Sequence, residues 1–247
     1  MECLYCNSTL PQTACESCSA ENQDALLALL SRNASIRTEQ WHDGRNTCLH
    51  IDTFSRIADF RELGVKLLHL SDLCIWPESG DIGTVIDALG SPDFISSLHL
   101  DDSQIHDADL KLLRPWVNLQ FLSMDRCAQL TGTGFNHLDV LLKLSELRLG
   151  HTSVTDSGLA GVAKLPSIAS LRLWNTAITD VGVESIARMR SLRSLWLCRT
   201  RVTDACLEML ATLPRLEFLD VNETSVTESG WDAFKQNRPD VRTSIYL

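Results

Sequence analysis

The sequence predicts an α/β solenoid of stacked short units, preceded by a small four-cysteine module. Three observations lead there. A 24-residue period runs through the second half of the chain. Each period joins a two-residue alternation to a run at helical spacing. Four cysteines lie in two close pairs near the N-terminus.

The units are easiest to see from Leu144, which begins L-S-E-L-R-L-G-H-T-S-V-T-D-S-G-L. Ile168 begins I-A-S-L-R-L-W-N-T-A-I-T-D-V-G-V, and Leu192 and Leu216 begin further copies, each 24 residues after the last. Earlier copies begin at Ile95 and Leu119, and a looser one is expected at Val65 with Leu68 and Leu70 in register. The L-x-L alternation, as at Leu147 and Leu149, suits a short strand. Thr152, Thr176, Thr200 and Thr224 follow at the turn, where a hydroxyl can bond backbone groups stranded by the bend. In the pairs Thr155-Asp156, Thr179-Asp180 and Thr203-Asp204, either residue can cap the next helix. Apolar residues then recur at helical spacing (Leu159, Val162, Leu165; Val183, Ile186, Met189; Leu207, Leu210, Leu213), and Pro166 and Pro214 mark helix ends. One unit cannot bury its apolar face alone; stacked units can.

This pattern resembles the leucine-rich-repeat family, in particular its Thr-Asp-x-Gly-Leu type, related to the cysteine-containing subclass. The resemblance covers roughly residues 65–247 and is clear from Ile95 onward. It implies a leucine-rich-repeat solenoid with parallel strands on a concave face, helices on the convex face, and binding of other proteins through the concave sheet. The expected organisation is a module at residues 1–20, a helix and atypical N-terminal cap at 21–64, and repeats at 65–247. Clear repeats run over 95–240, with a truncated last strand at 241–247. Within the cap, Leu49-x-Ile51 reads as a first strand and residues 55–63 as a short helix.

Cys3, Cys6, Cys15 and Cys18 form C-x2-C-x8-C-x2-C. Two such pairs joined by a hairpin can converge four thiolates on a tetrahedral Zn2+ at about 2.3 Å. The run resembles the short zinc ribbons at the N-termini of many bacterial proteins, although the usual glycine after each pair is absent and the loop is slightly short. The resemblance implies a closed, structural zinc site. A redox dithiol would prefer one C-x-x-C opening a helix in a βαβ unit. An iron–sulfur site is a further alternative. The helix expected over residues 20–31 carries an apolar stripe of Ala25, Leu26, Leu29 and Leu30.

Residues between the core leucines point to the open face of the sheet. By register, the position between the core pair holds His69, His99, Ser123, Arg148, Arg172, Trp196 and Asp220. The next holds Ser71, Asp101, Asp125, Gly150, Trp174, Cys198 and Asn222, and the one after Asp72, Asp102, Arg126, His151, Asn175, Arg199 and Glu223. Both ends are acidic. The middle gathers Arg148, His151, Arg172, Trp174, Trp196 and Arg199, the Trp and Arg composition of a binding hot spot. The alternative is that Arg and Trp stack on each other merely to cover the sheet. His69 and His99, with Asp101, are a further candidate metal or acid–base cluster, while Cys206 reads as core.

Composition narrows the function classes. The 247 residues carry 32 acids against 22 bases, a net charge of −10 that repels phosphate backbones. Residues 1–31 contain no Lys or Arg, which argues against the module as a nucleic-acid reader. No secretory signal is seen at the N-terminus, and residues 25–30 are the longest apolar run, so a soluble, cytoplasmic chain with no membrane span is expected. No G-x-S-x-G, P-loop or G-x-G-x-x-G occurs, and the His are scattered, so no catalysis is expected. The leading expectation is a non-catalytic protein-interaction module with a structural zinc site. The alternatives are a redox-active or nucleic-acid-associated zinc-ribbon protein, and an accessory or substrate-receptor subunit of an enzyme complex. The oligomeric state stays open.

Overall fold

The computed structural model of the chain describes residues 36–40, 47–51, 72–75, 86 and 95–243. The four-cysteine module and the helices expected over 20–31 and 55–63 lie outside the described residues. Among the described residues, nine strands form one sheet in sequence order: β1 (Ile36–Gln40), β2 (Thr47–Ile51), β3 (Asp72–Ile75), β4 (Ser97–His99), β5 (Phe121–Ser123), β6 (Glu146–Arg148), β7 (Ser170–Arg172), β8 (Ser194–Trp196) and β9 (Phe218–Asp220). The pair β1–β2 is antiparallel; from β2 onward every pairing is parallel. Strand β2 contains the expected Leu49 and Ile51, and β1 is an additional strand that the sequence reading left unassigned.

One register differs from expectation. Strand β3 pairs through Leu73, opposite Leu98, rather than through Leu68 or Leu70. The position level with His99 is therefore Cys74, not His69, and the proposed His69–His99 pairing is withdrawn. Several leucines lie close together in 65–73, so spacing alone could not choose among them.

From β4 to β9 each strand is three residues long and its central leucine is buried: Leu98, Leu122, Leu147, Leu171, Leu195 and Leu219 are all 0% exposed. Behind the sheet lie two 3-10 helices, Asp107–Leu113 and Thr133–Leu138, and then α1 (Asp156–Val162), α2 (Asp180–Ile186), α3 (Asp204–Leu210) and α4 (Glu228–Asn237). Their apolar residues, Leu159, Val162, Val183, Ile186, Leu207 and Leu210 among them, close the core. Burying each such side chain is worth about 1.5–3 kcal/mol. Helices α1 and α3 end at Val162 and Leu210, and a turn carries the chain on to Pro166 and Pro214. Cys206 is core, as expected. Because helices pack about 8–10 Å apart and strands about 4.8 Å, such a stack curves with its strands on the inside.

Two sets of side-chain hydrogen bonds recur along the stack, one closing the turn within each unit and one joining unit to unit. The hydroxyls of Thr152, Thr176, Thr200 and Thr224 donate to the carbonyls of Leu149, Leu173, Leu197 and Val221 at 2.6–2.7 Å. The aspartates work across units rather than on their own helices. Asp156 accepts from the N–H and hydroxyl of Thr179 (2.9 and 2.7 Å), Asp180 from those of Thr203, and Asp204 from those of Thr227. The same Thr179, Thr203 and Thr227 oxygens then cap α2, α3 and α4. The Asp156 carboxylate occupies the space where a Cβ on Gly182 would stand, and this close approach explains the glycine of the repeat.

Helix α4 is the last helix among the described residues. Its Trp231 and Phe234 are buried and stacked, and Arg238 donates to the carbonyls of Ala211, Leu213 and Leu216 at 2.9–3.2 Å. Val241 is buried, and Arg242 bridges in parallel to Phe218, so the described part of the tail begins a further rung.

Candidate functional site

The register brings His99, Ser123, Arg148, Arg172, Trp196 and Asp220 level across β4–β9, in the order read from the sequence. They are not equally exposed. His99, Ser123 and Asp220 at the two ends are buried, while Arg148, Arg172 and Trp196 in the middle are half-buried.

A second row faces the same way. Ser97, Phe121, Glu146, Ser170, Ser194 and Phe218 each precede a core leucine. The sequence reading passed over this row, although period-2 alternation places both neighbours of a core residue on one face. Its Phe121, Glu146 and Phe218 complete the site. The His99 ring lies 4.7 Å from Phe121, whose face carries the Arg148 guanidinium at 4.6 Å. Glu146 accepts from Arg148 Nε at 2.8 Å and stands 3.7 Å from Arg172. Arg172 covers the Trp196 ring at 4.5 Å, and Trp196 packs on Phe218 at 5.0 Å. One chain of ring and cation contacts thus crosses all six strands. Its two guanidinium groups, on neighbouring rungs, lean apart onto different rings.

Trp174 and His151 form a second cluster beside it. The indole lies across the backbone of Gly150, in the space a Cβ there would fill, and meets His151 edge-on at 4.1 Å. The His151 ring also meets the Asn175 side-chain amide. Arg199 is joined to Glu223 at 2.9 Å rather than to the aromatic patch.

The row of Asp102, Arg126, His151, Asn175, Arg199 and Glu223 has left-handed backbone throughout, with φ between 54° and 60°. Apart from glycine, Asn, Asp and His are the residues enriched in that region, so Arg126, Arg199 and Glu223 gave no signal in the sequence. Each unit must reverse sharply here to send its threonine back into the core. The strain, about 1–2 kcal/mol per residue, is offset by regular rung-to-rung bonds such as Arg126 N–H to Gly150 O at 2.8 Å.

The acidic ends also have structural partners. Asp101 accepts from Ser123 Oγ (2.6 Å) and Asp125 N–H (2.8 Å), and Asp125 from Gly150 N–H (2.6 Å). Burial and the nearby Asp101 charge push the Asp125 carboxyl above its ordinary value, against the Gly150 bond. Burial, then Asp220, pushes the Cys198 thiol up to about 11, so at neutral pH it is a thiol rather than a thiolate nucleophile. Among the described residues, no group of three or more His, Cys, Asp or Glu is placed to hold a metal ion. Cys3, Cys6, Cys15 and Cys18 lie outside those residues.

No protein-family model matches the chain, and no curated protein matches it. Solved structures do. An internalin (inlF) from Listeria monocytogenes matches with a TM-score of 0.51 at 16% identity, over 74% of this chain and 56% of that one. A leucine-rich-repeat protein of Leptospira interrogans matches with a TM-score of 0.51 at 16% identity, over 73% of this chain and 45% of that one. The chain spans about half the length of the solved structures it matches. At this identity the likeness shows the fold, a leucine-rich-repeat solenoid. No helix among the described residues is long and apolar enough to cross a membrane.

Proposed function

We propose that the chain is a non-catalytic protein-interaction module that binds a partner protein through the open, concave face of its repeats, at Arg148, His151, Arg172, Trp174, Trp196 and Arg199. One observation carries this reading: half-buried Trp174 and Trp196 share three adjacent rungs with half-buried Arg148 and Arg172. A few residues carry most of the binding energy of a protein interface, and tryptophan and arginine are enriched among them. Leucine-rich-repeat structural neighbours support the same reading as analogy, because a fold by itself does not assign a function. We assign Cys3, Cys6, Cys15 and Cys18 to a structural zinc site at the N-terminus, either as a cap or as a second contact.

The cation–π contacts of Arg148 and Arg172 favour the competing view, in which the side chains only cover the sheet. Affinity capture with the full chain separates the two. Trp174→Ala with Trp196→Ala is expected to lose at least one reproducibly captured protein, while Glu184→Ala with Arg188→Ala, on and just beyond α2, retains it. Equal capture by both variants, with unchanged circular dichroism, would leave the patch as covering alone.

A further inference from the structure

We infer that the concave face receives a single carboxylate side chain, an Asp or Glu of the partner protein, on the edge of the Arg172 guanidinium where it covers Trp196. This rests on the reading of that face as a binding surface.

The hydrogen bonding of Arg172 is incomplete. A guanidinium carries five N–H donors in a rigid fork. Arg172 Nε is buried without a hydrogen-bond partner. Its one ionic contact among the described residues is Glu146, at 3.7 Å. That same carboxylate oxygen already accepts from Arg148 at 2.8 Å. Two cations therefore share one anion. Burial first, then the charge of Arg148, hold the Arg172 guanidinium below its ordinary value, against the pull of Glu146 and Asp125.

The surroundings suit a carboxylate. The guanidinium carbon sits 4.5 Å from the centre of the Trp196 ring, and about a third of the side chain remains exposed. With Nε buried, the terminal nitrogens are the edge left for a partner carboxylate, which the fixed fork of a guanidinium meets in plane and bidentate. The charge layout limits the partner further. Asp101, Asp102 and Asp125 lie toward one end and Asp220 and Glu223 toward the other. A polyanion such as a nucleic acid would meet those acids on both sides. One acidic residue flanked by neutral or basic neighbours would not.

The test uses a displayed library of random dodecapeptides selected on the full chain. Peptides that bind the wild type but not the Trp174→Ala/Trp196→Ala variant define concave-face binders. They are expected to share an Asp or Glu whose replacement by Asn or Gln weakens binding roughly tenfold, the scale of one charge-assisted hydrogen bond. Arg172→Gln is expected to give a similar loss, the two losses failing to add. Arg172→Lys keeps the charge but loses the fork and should fall between. Selection on Arg172→Glu should turn the shared acid into a Lys or Arg, which a merely structural Arg172 would not produce. Concave-face binders indifferent to their acids or to Arg172 would overturn this inference and leave the interaction reading standing. A library yielding no binder dependent on Trp174 and Trp196 would overturn both.

Discussion

Gly150 shows how one residue shapes the surface. Among the described residues it is the only glycine in its row of the open face, and it makes the slot in which the Trp174 indole lies. An added methyl would collide with the ring, which must then rotate outward. Gly150→Ala is therefore expected to leave the fold intact while raising acrylamide quenching of tryptophan fluorescence. Partner binding should fall with it, because hot-spot rings contribute only when held in place. Unchanged quenching would show that the ring accommodates the methyl without leaving its slot. Trp174 itself stood out in the sequence as an exposed aromatic; its support did not, since a glycine in an exposed row carries no sign of what lies over it.

Between elements, the aspartate of one unit holds the threonine of the next, and the start of the stack shows it best. Asp107 accepts from Thr131 N–H (2.9 Å) and hydroxyl (2.6 Å), from Gly132 N–H (2.9 Å) and from Gly134 N–H (3.1 Å). Burial alone would raise its carboxyl, but these four bonds outweigh it and hold the group below the ordinary 3.8. A depressed acid stabilises the fold fully above its unfolded value, and that share is lost as pH falls through the lower folded value. Asp107→Asn keeps one acceptor and loses the other. It is expected to cost about 1–2 kcal/mol at neutral pH, with the penalty shrinking below about pH 3.8. Urea unfolding at pH 7 and pH 3 measures both, and an equal penalty at the two values would show that the ionised carboxylate is not what holds the rung. The Thr-Asp pair was legible in the sequence as a helix cap. Thr179 and Thr203 cap their helices, Thr155 makes no side-chain cap bond to α1, and the aspartate reaches the neighbouring unit, a distance invisible within one repeat.

Across the rungs from β4 to β9, the sheet brings acids to both sides of a cationic, aromatic strip, within a chain of net charge −10. The proposed zinc site belongs to this scale too. Purified without a metal-binding tag, the chain is expected to carry about one zinc, with about four thiols released on chelation. Plasma mass spectrometry with thiol titration checks this. A metal-free chain holding reversible Cys3–Cys6 or Cys15–Cys18 disulfides would replace the structural assignment with a redox one.

By itself the sequence determined the repeating unit, its strand, its threonine turn, its capped helix and its buried face. These depend on hydrophobic period and turn chemistry, which act within a few residues. It also brought out Arg148, Arg172 and Trp196 as one row, because a fixed 24-residue period keeps the rungs level. The tertiary structure decided the pairing of β3 through Leu73, the place of Phe121, Glu146 and Phe218 in the site, and the opposite lean of the two arginines. Each of these depends on which side chains of neighbouring units meet, and that is set by stacking, between residues far apart along the chain.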